Sequence, residues 1–74
     1  MPRYFFHLFD GHAIRDDEGT VLRDEASARR SALVSLVQAV GDQSTAFWAG
    51  EAWTMQVDDD AGKQICLLTL RATT

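Results

Sequence analysis

The sequence predicts an α+β fold: a small, mostly antiparallel sheet of 3–4 strands with one long helix packed on one face, in the order β-β-α-β-β. Two observations lead there. Strand-like runs rich in aromatic or alternating apolar residues stand at both ends of the chain, and one stretch of helical spacing stands between them. With 74 residues and no internal repeat, linker or low-complexity stretch, residues 1–74 are expected to form one domain. A chain this small buries only about 60% of the surface its unfolded form exposes. Its core is therefore thin, and there is no room for a nucleotide-binding α/β domain or a barrel enzyme.

Residues 3–9, RYFFHLF, read as a strand. Alternation puts Tyr4, Phe6 and Leu8 on one face and Phe5, His7 and Phe9 on the other. Asp10-Gly11-His12 is a turn signal, because glycine accepts positive φ at little cost. Residues 13–15 can return as a short strand, Asp16-Asp17-Glu18-Gly19 forms a second, acidic turn, and Thr20-Val21-Leu22 leads on in extended form.

Asp24 is suited to cap a helix, and Glu25 to the positive end of the helix dipole. Helical spacing over 25–40 groups Ala26, Leu33, Leu36, Val37 and Val40 in one apolar stripe, with Ser27, Ser31 and Ser35 opposite. Gly41 is the expected stop. Residues 42–50, DQSTAFWAG, leave two readings: a segment tucked under the helix end by Phe47 and Trp48, or a short edge strand. Residues 51–58 alternate, Trp53, Met55 and Val57 inward and Ala52, Thr54 and Gln56 outward. Asp59-Asp60-Ala61-Gly62 is a hairpin loop. Residues 63–71 form the last strand, with Cys66, Leu68 and Leu70 on the helix side and Ile65, Leu67 and Thr69 on the other.

One helix covers one face of such a sheet. Phe5, Phe9, Ile65 and Leu67 are left on the far face, where they would expose several hundred Å² of apolar surface, on the order of what marks an interaction site. Phe5, His7, Phe9, Ile65 and Leu67 are therefore the candidate interaction residues. The simplest cover is a second copy of the chain, sheet packed on sheet or strand edge joined to strand edge. A protein partner or an apolar ligand is another, and residues 42–50 folding over that face a third.

The chain carries eleven acidic and seven basic residues, a net charge of −4, which disfavours non-specific binding to nucleic acid or to an anionic membrane. One cysteine, Cys66, allows neither an internal disulfide nor a cysteine-based zinc site within one chain. The N-terminus does not read as a signal peptide, since His7 and Asp10 break its apolar run. No stretch approaches the roughly 20 apolar residues of a membrane span. The expected compartment is the cytoplasm.

The opening MPRYFFH, the acidic turn DDEG, Leu22 with Asp24 ahead of an Ala/Arg-rich helix, and the D-x-A-G hairpin together resemble a family of short proteins of unknown function, found mainly in rhizobial and related alphaproteobacteria. The resemblance covers nearly the whole chain. It departs at residues 43–50, and Arg23 stands where a proline is usual. It implies a small bacterial cytoplasmic domain and supplies no activity.

No residue pattern points to a catalytic, cofactor or metal site. His7 and His12 read as an interface residue and a loop residue. Asp58-Asp59-Asp60 lacks the distal glutamate and spacing of a calcium loop. Cys66 reads as structural, and Trp48 and Trp53 as core. Arg29 falls within the apolar stripe and Arg30 beside it; with Arg23 they are candidates for an anion site, or for a latch to the acidic turn 16–18. The expected function is thus a non-catalytic interaction module that homodimerises through its sheet. The alternatives are a nucleic-acid-associated or antitoxin-like regulatory domain, which needs its arginines on one face, and a small-ligand binder at a dimer interface around His7 and Arg29.

Overall fold

The computed structural model describes residues 1–50 and 52–73. Seven elements follow in order: β1 (Arg3–Phe9), β2 (Ala13–Ile14), β3 (Thr20–Val21), α1 (Glu25–Asp42), α2 (Ser44–Ala49), β4 (Trp53–Asp59) and β5 (Gln64–Leu70). They form one antiparallel sheet of five strands in the order β2-β1-β4-β5, with β3 also paired to β1. The expected α+β architecture is present, with a fifth strand and a second helix. The expected strand start at Glu51 lies outside the described residues.

The alternation in β1 and β4 sets the register. Phe6 opposes Val57 and Leu8 opposes Met55, while Met55 opposes Leu68 and Val57 opposes Cys66. Tyr4, Trp53, Met55 and Val57 are buried on the face that α1 covers. Leu70 shares that face through its pairing with Trp53 but is 36% exposed, because it ends the outermost strand. At the hairpin, Gly62 takes φ +84°, and the Asp59 carboxylate accepts the backbone N–H groups of Ala61 and Lys63 at 2.9 Å each. The Asp59 carboxylate is thus committed to holding the turn.

Asp24 caps α1 as expected, its carboxylate accepting the Ser27 N–H at 2.8 Å. The Ser27 N–H and hydroxyl hold that carboxyl below its ordinary pKa. The helix does not stop at Gly41. It runs to Asp42 with Gln43 as its cap, and the helical backbone passes through Gly41 without a positive φ.

The face of α1 that packs on the sheet differs from the expected one. Ala28, Ala32 and Leu36 are buried, whereas Ala26, Leu33 and Val37 are exposed and Val40 is half-buried. Each residue advances roughly 100° around a helix, so the buried face is turned by about one residue step from the predicted stripe. Two alanines in succession let the helix approach the sheet closely. Their small area gives them little weight in a hydrophobicity pattern, although they occupy the contact.

Residues 44–49 form the short helix α2, which resolves the two readings of that stretch. Phe47 is buried and meets Trp53 edge-on, ring centroids 6.1 Å apart, closing the end of the core under α1. The segment therefore covers the helix side of the sheet and not the far face. Trp48 points outward at 61% exposure, contrary to its expected place in the core.

Candidate functional site

The sheet has two edges, and the chain treats them differently. The outer edge of β1 is occupied along its length. β3 pairs with Arg3 and Tyr4, and β2 pairs with Leu8 and Phe9. In the gap between them the Asp16 carboxylate accepts the Phe6 N–H at 3.1 Å. The same carboxylate accepts Glu18 N–H at 3.2 Å and Gly19 N–H at 2.9 Å. Burial alone would raise the Asp16 carboxyl; the N–H groups of Gly19, Phe6 and Glu18, with His7 nearby, outweigh it and hold the carboxyl below its ordinary value.

His7 completes this clasp. Its Nδ1 accepts the Asp16 N–H at 3.1 Å, which assigns the proton of the neutral ring to Nε2. Nε2 faces the Asp58 carboxylate at 3.5 Å, and the Gln56 amide donates to the other Asp58 oxygen at 2.9 Å. Arg3 ties the turn from outside, donating to the Glu18 carbonyl at 2.7 Å.

Gly19 marks the closest approach of the acidic turn to β1. It sits at φ +72°, and a Cβ there would come within 2.9 Å of Arg3 Cγ, Phe5 Cε2 and the Tyr4 carbonyl. Gly11 also has positive φ, +101°, but opens onto free space. Gly19→Ala is accordingly expected to cost about 2 kcal/mol and Gly11→Ala about 1 kcal/mol, the strain of a left-handed alanine alone. Paired urea titrations check this, and equal midpoints for the two variants would contradict the packing of the turn.

The far face of the sheet is consequently not the open apolar surface the sequence suggests. The acidic turn packs on Phe5, which is half-buried. Ile65 leaves that face altogether. The β4–β5 register passes from Val57–Cys66 to Asp58–Gln64, so Ile65 is the extra residue of a bulge and packs against the helix-side core. Phe9 and Leu67 remain about half-exposed, and polar His7, Gln56, Thr54 and Thr69 stand between them. Beside His7 this face holds a hollow of about 210 Å³, lined in part by Phe9, Arg15, Thr54, Gln56 and Asp58. Ligand pockets usually begin near 300 Å³, so the hollow is shallow for a small-molecule site.

Two of the candidate arginines face carboxylates at the start of α1. Arg23 lies 3.6 Å from Asp24, and Arg29 lies 3.8 Å from Glu25 one helical turn away. Arg30 is exposed on α1, while Arg15 borders the hollow on the opposite face of the sheet. The acidic turn is latched by Arg3, Asp16 and His7, in place of the helix arginines expected to hold it.

β5 is the other edge, and among the described residues nothing pairs with its outer side. Its seven residues, QICLLTL, contain neither charge nor proline, and Leu67 is 52% exposed. Natural sheets normally blunt such an edge with lysine, proline, a short strand or a covering loop. The bulge at Ile65 is the single device of that kind on β5 among the described residues.

The model of a family described as a domain of unknown function, DUF6894, matches residues 3–71. The chain belongs to this family. No curated protein and no solved structure shows significant similarity to it. In this DUF6894 domain the Asp16 carboxylate accepts three backbone N–H groups, a role that its place among the three acids of the turn does not single out. Its signal is the spacing to Gly19, three residues on, which suits a carboxylate that closes a turn over its own backbone. Gln56 and Asp58 were also legible, since the alternation of β4 already places polar side chains on the far face. Cys66 is half-buried; burial pushes its thiol up against the opposing field of Arg29, away from the thiolate a nucleophile needs. No group of three or more metal-ligating side chains comes together among the described residues, and none of their helices is long and apolar enough to cross a membrane.

Proposed function

We propose that this DUF6894 domain is a non-catalytic interaction module that homodimerises through its sheet, by antiparallel pairing of β5 with β5 of a second copy. The observation that carries the reading is the contrast between the two edges. The β1 edge is partnered by β2 and β3, down to a carboxylate on Phe6 between them, whereas the outer side of β5, seven uncharged residues long, has no partner among the described residues. Antiparallel pairing of identical strands is isologous, so the surface that needs cover and the surface that supplies it are one and the same. The pairing would join two sheets into one and shield Leu67. This is the edge form of the expected sheet dimer; the interrupted apolar surface around Phe5 and Phe9 gives less support to face-to-face packing.

Native mass spectrometry and sedimentation equilibrium over a dilution series test the proposal. A dimer is expected at micromolar concentration, and raised salt is expected to leave it intact or tighten it, since each copy carries a net charge of −4. Leu67→Lys places a charge on the bare edge and is expected to weaken the dimer at least tenfold while circular dichroism stays unchanged. A monomer at all concentrations would overturn the reading. Binding to nucleic acid that fades steeply with salt would favour the regulatory alternative instead.

A further inference from the structure

The surface of α1 that the sequence marks as apolar and the monomer leaves exposed has a definite position relative to β5. β3 and β4 both run antiparallel to β1, so β3, α1 and β4 form a crossover between parallel strands, and such crossovers are right-handed in about 98% of cases. With Ala28, Ala32 and Leu36 turned to the sheet, that handedness places Arg29, Leu33, Val37 and Val40 on the flank of α1 toward β5, and Ser31 and Ser35 on the flank toward β1. The field of Arg29 at the Cys66 thiol, on β5, agrees with this placement. Leu33 and Val37, one turn apart, are 55% and 56% exposed.

Antiparallel pairing of two β5 strands has its two-fold axis perpendicular to the sheet. Both α1 helices then lie on the same face, with their β5 flanks turned toward each other. Strands are spaced by about 4.8 Å, so helices seated over β4 and β5 stand roughly 10–14 Å apart across the seam. Helices in direct contact are separated by about 8–10 Å, and aliphatic side chains bridge the difference. One turn beyond Arg29, Leu33 is level with the middle of β5, because four helical residues and two strand residues both advance about 6 Å. A two-fold axis near Leu33 sets Leu33 against its own copy and Val40 against Ala26 of the other protomer.

We infer that the Ala26–Leu33–Val37–Val40 flank of α1 is the second half of the dimer interface, an antiparallel helix–helix seam that closes over the joined β5 strands with a second copy of this chain as its occupant. The inference rests on the β5 reading and deepens it. A specific interface buries about 1,000 Å² or more, and the helix flank adds apolar area to what the strand edge supplies. The one-step rotation of the apolar stripe then has a cause. The stripe spans the fold's own contact at Leu36 and the partner's contact at Leu33, and its centre lies between them.

Two variants in a Cys66→Ser background test the seam. Leu33→Cys is expected to give a covalent dimer with a short bis-maleimide, and Ser35→Cys, on the opposite flank, is not. Separately, Leu33→Asp is expected to raise the dimer dissociation constant at least tenfold with the monomer fold retained, and Ser35→Asp to leave it unchanged. A dimer that resists Leu33→Asp and links no better through residue 33 than through residue 35 would overturn the seam and leave β5 pairing standing. A wild-type monomer would overturn both.

Discussion

Trp53→Ala is expected to leave the domain largely unfolded at room temperature. Trp53 is 2% exposed, stands at the start of the central strand β4 and meets Phe47 edge-on. Removing a buried aromatic ring of this size costs about 3–5 kcal/mol. A core of this size rarely supplies more than about 3–5 kcal/mol in total, so the loss matches the whole stability of the fold. The ring also anchors α2, since Phe47 is the one buried residue of that helix. Trp48→Ala is the matched control: 61% exposed, it is expected to change stability by less than about 0.5 kcal/mol. Far-UV circular dichroism and urea titration of the two variants check this. A Trp53→Ala protein with a cooperative transition near that of the parent would show that the core does not depend on this contact.

Asp16→Ala is expected to cost about 3 kcal/mol, although the residue belongs to a surface turn. Three backbone N–H groups lose their acceptor at once, and bonds to a charged group contribute about 1.5–3 kcal/mol each before solvent screening. The Phe6 N–H would be left between β2 and β3 with no partner from either strand. The same carboxylate makes the fold acid-sensitive. Its folded pKa lies below its unfolded value, so its contribution is present in full above the unfolded pKa and is lost as pH falls through the folded one. Stability of the parent is therefore expected to decline on acidification in the range where carboxylates titrate. Asp16→Asn, which keeps one acceptor oxygen and cannot ionise, is expected to be less stable near neutrality and to decline less steeply. Urea midpoints measured from pH 7 to pH 3 decide it; parallel profiles for parent and Asp16→Asn would contradict the clasp.

Much of the fold was legible because two strands carry strict alternation. Tyr4, Phe6 and Leu8 with Trp53, Met55 and Val57 mark the apolar faces of β1 and β4 that share the helix side of the sheet, whereas strand order and register rest on long-range pairing that alternation alone does not specify. Asp24 and the Asp59–Gly62 loop bound the helix and the hairpin through their own hydrogen bonds, so those ends are local and readable. The phase of α1 was not legible. A hydrophobicity pattern records where apolar area lies, and this helix makes its contact with alanines while presenting Leu33 and Val37 elsewhere. Ile65 was misplaced for a different reason: one bulge residue shifts the faces of a strand, and nothing in QICLLTL announces it. The interaction residues divide accordingly. Leu67 stands on the bare edge strand, Phe9 on the open far face, Phe5 and His7 beneath or within the acidic clasp, and Ile65 on the core side.

In the proposed dimer β5 is an interface and not a free edge. Amide hydrogen exchange resolved along β5, measured at high and low protein concentration, addresses it most directly. In a free edge strand alternate amides bond to β4 and the others face water, so protection alternates along residues 64–70 and does not depend on concentration. Paired β5 strands protect both sets. The outward amides of β5 are expected to be protected at high concentration and to lose that protection on dilution, while those of β1 and β4 do not change. Fast, concentration-independent exchange at the outward amides would contradict it.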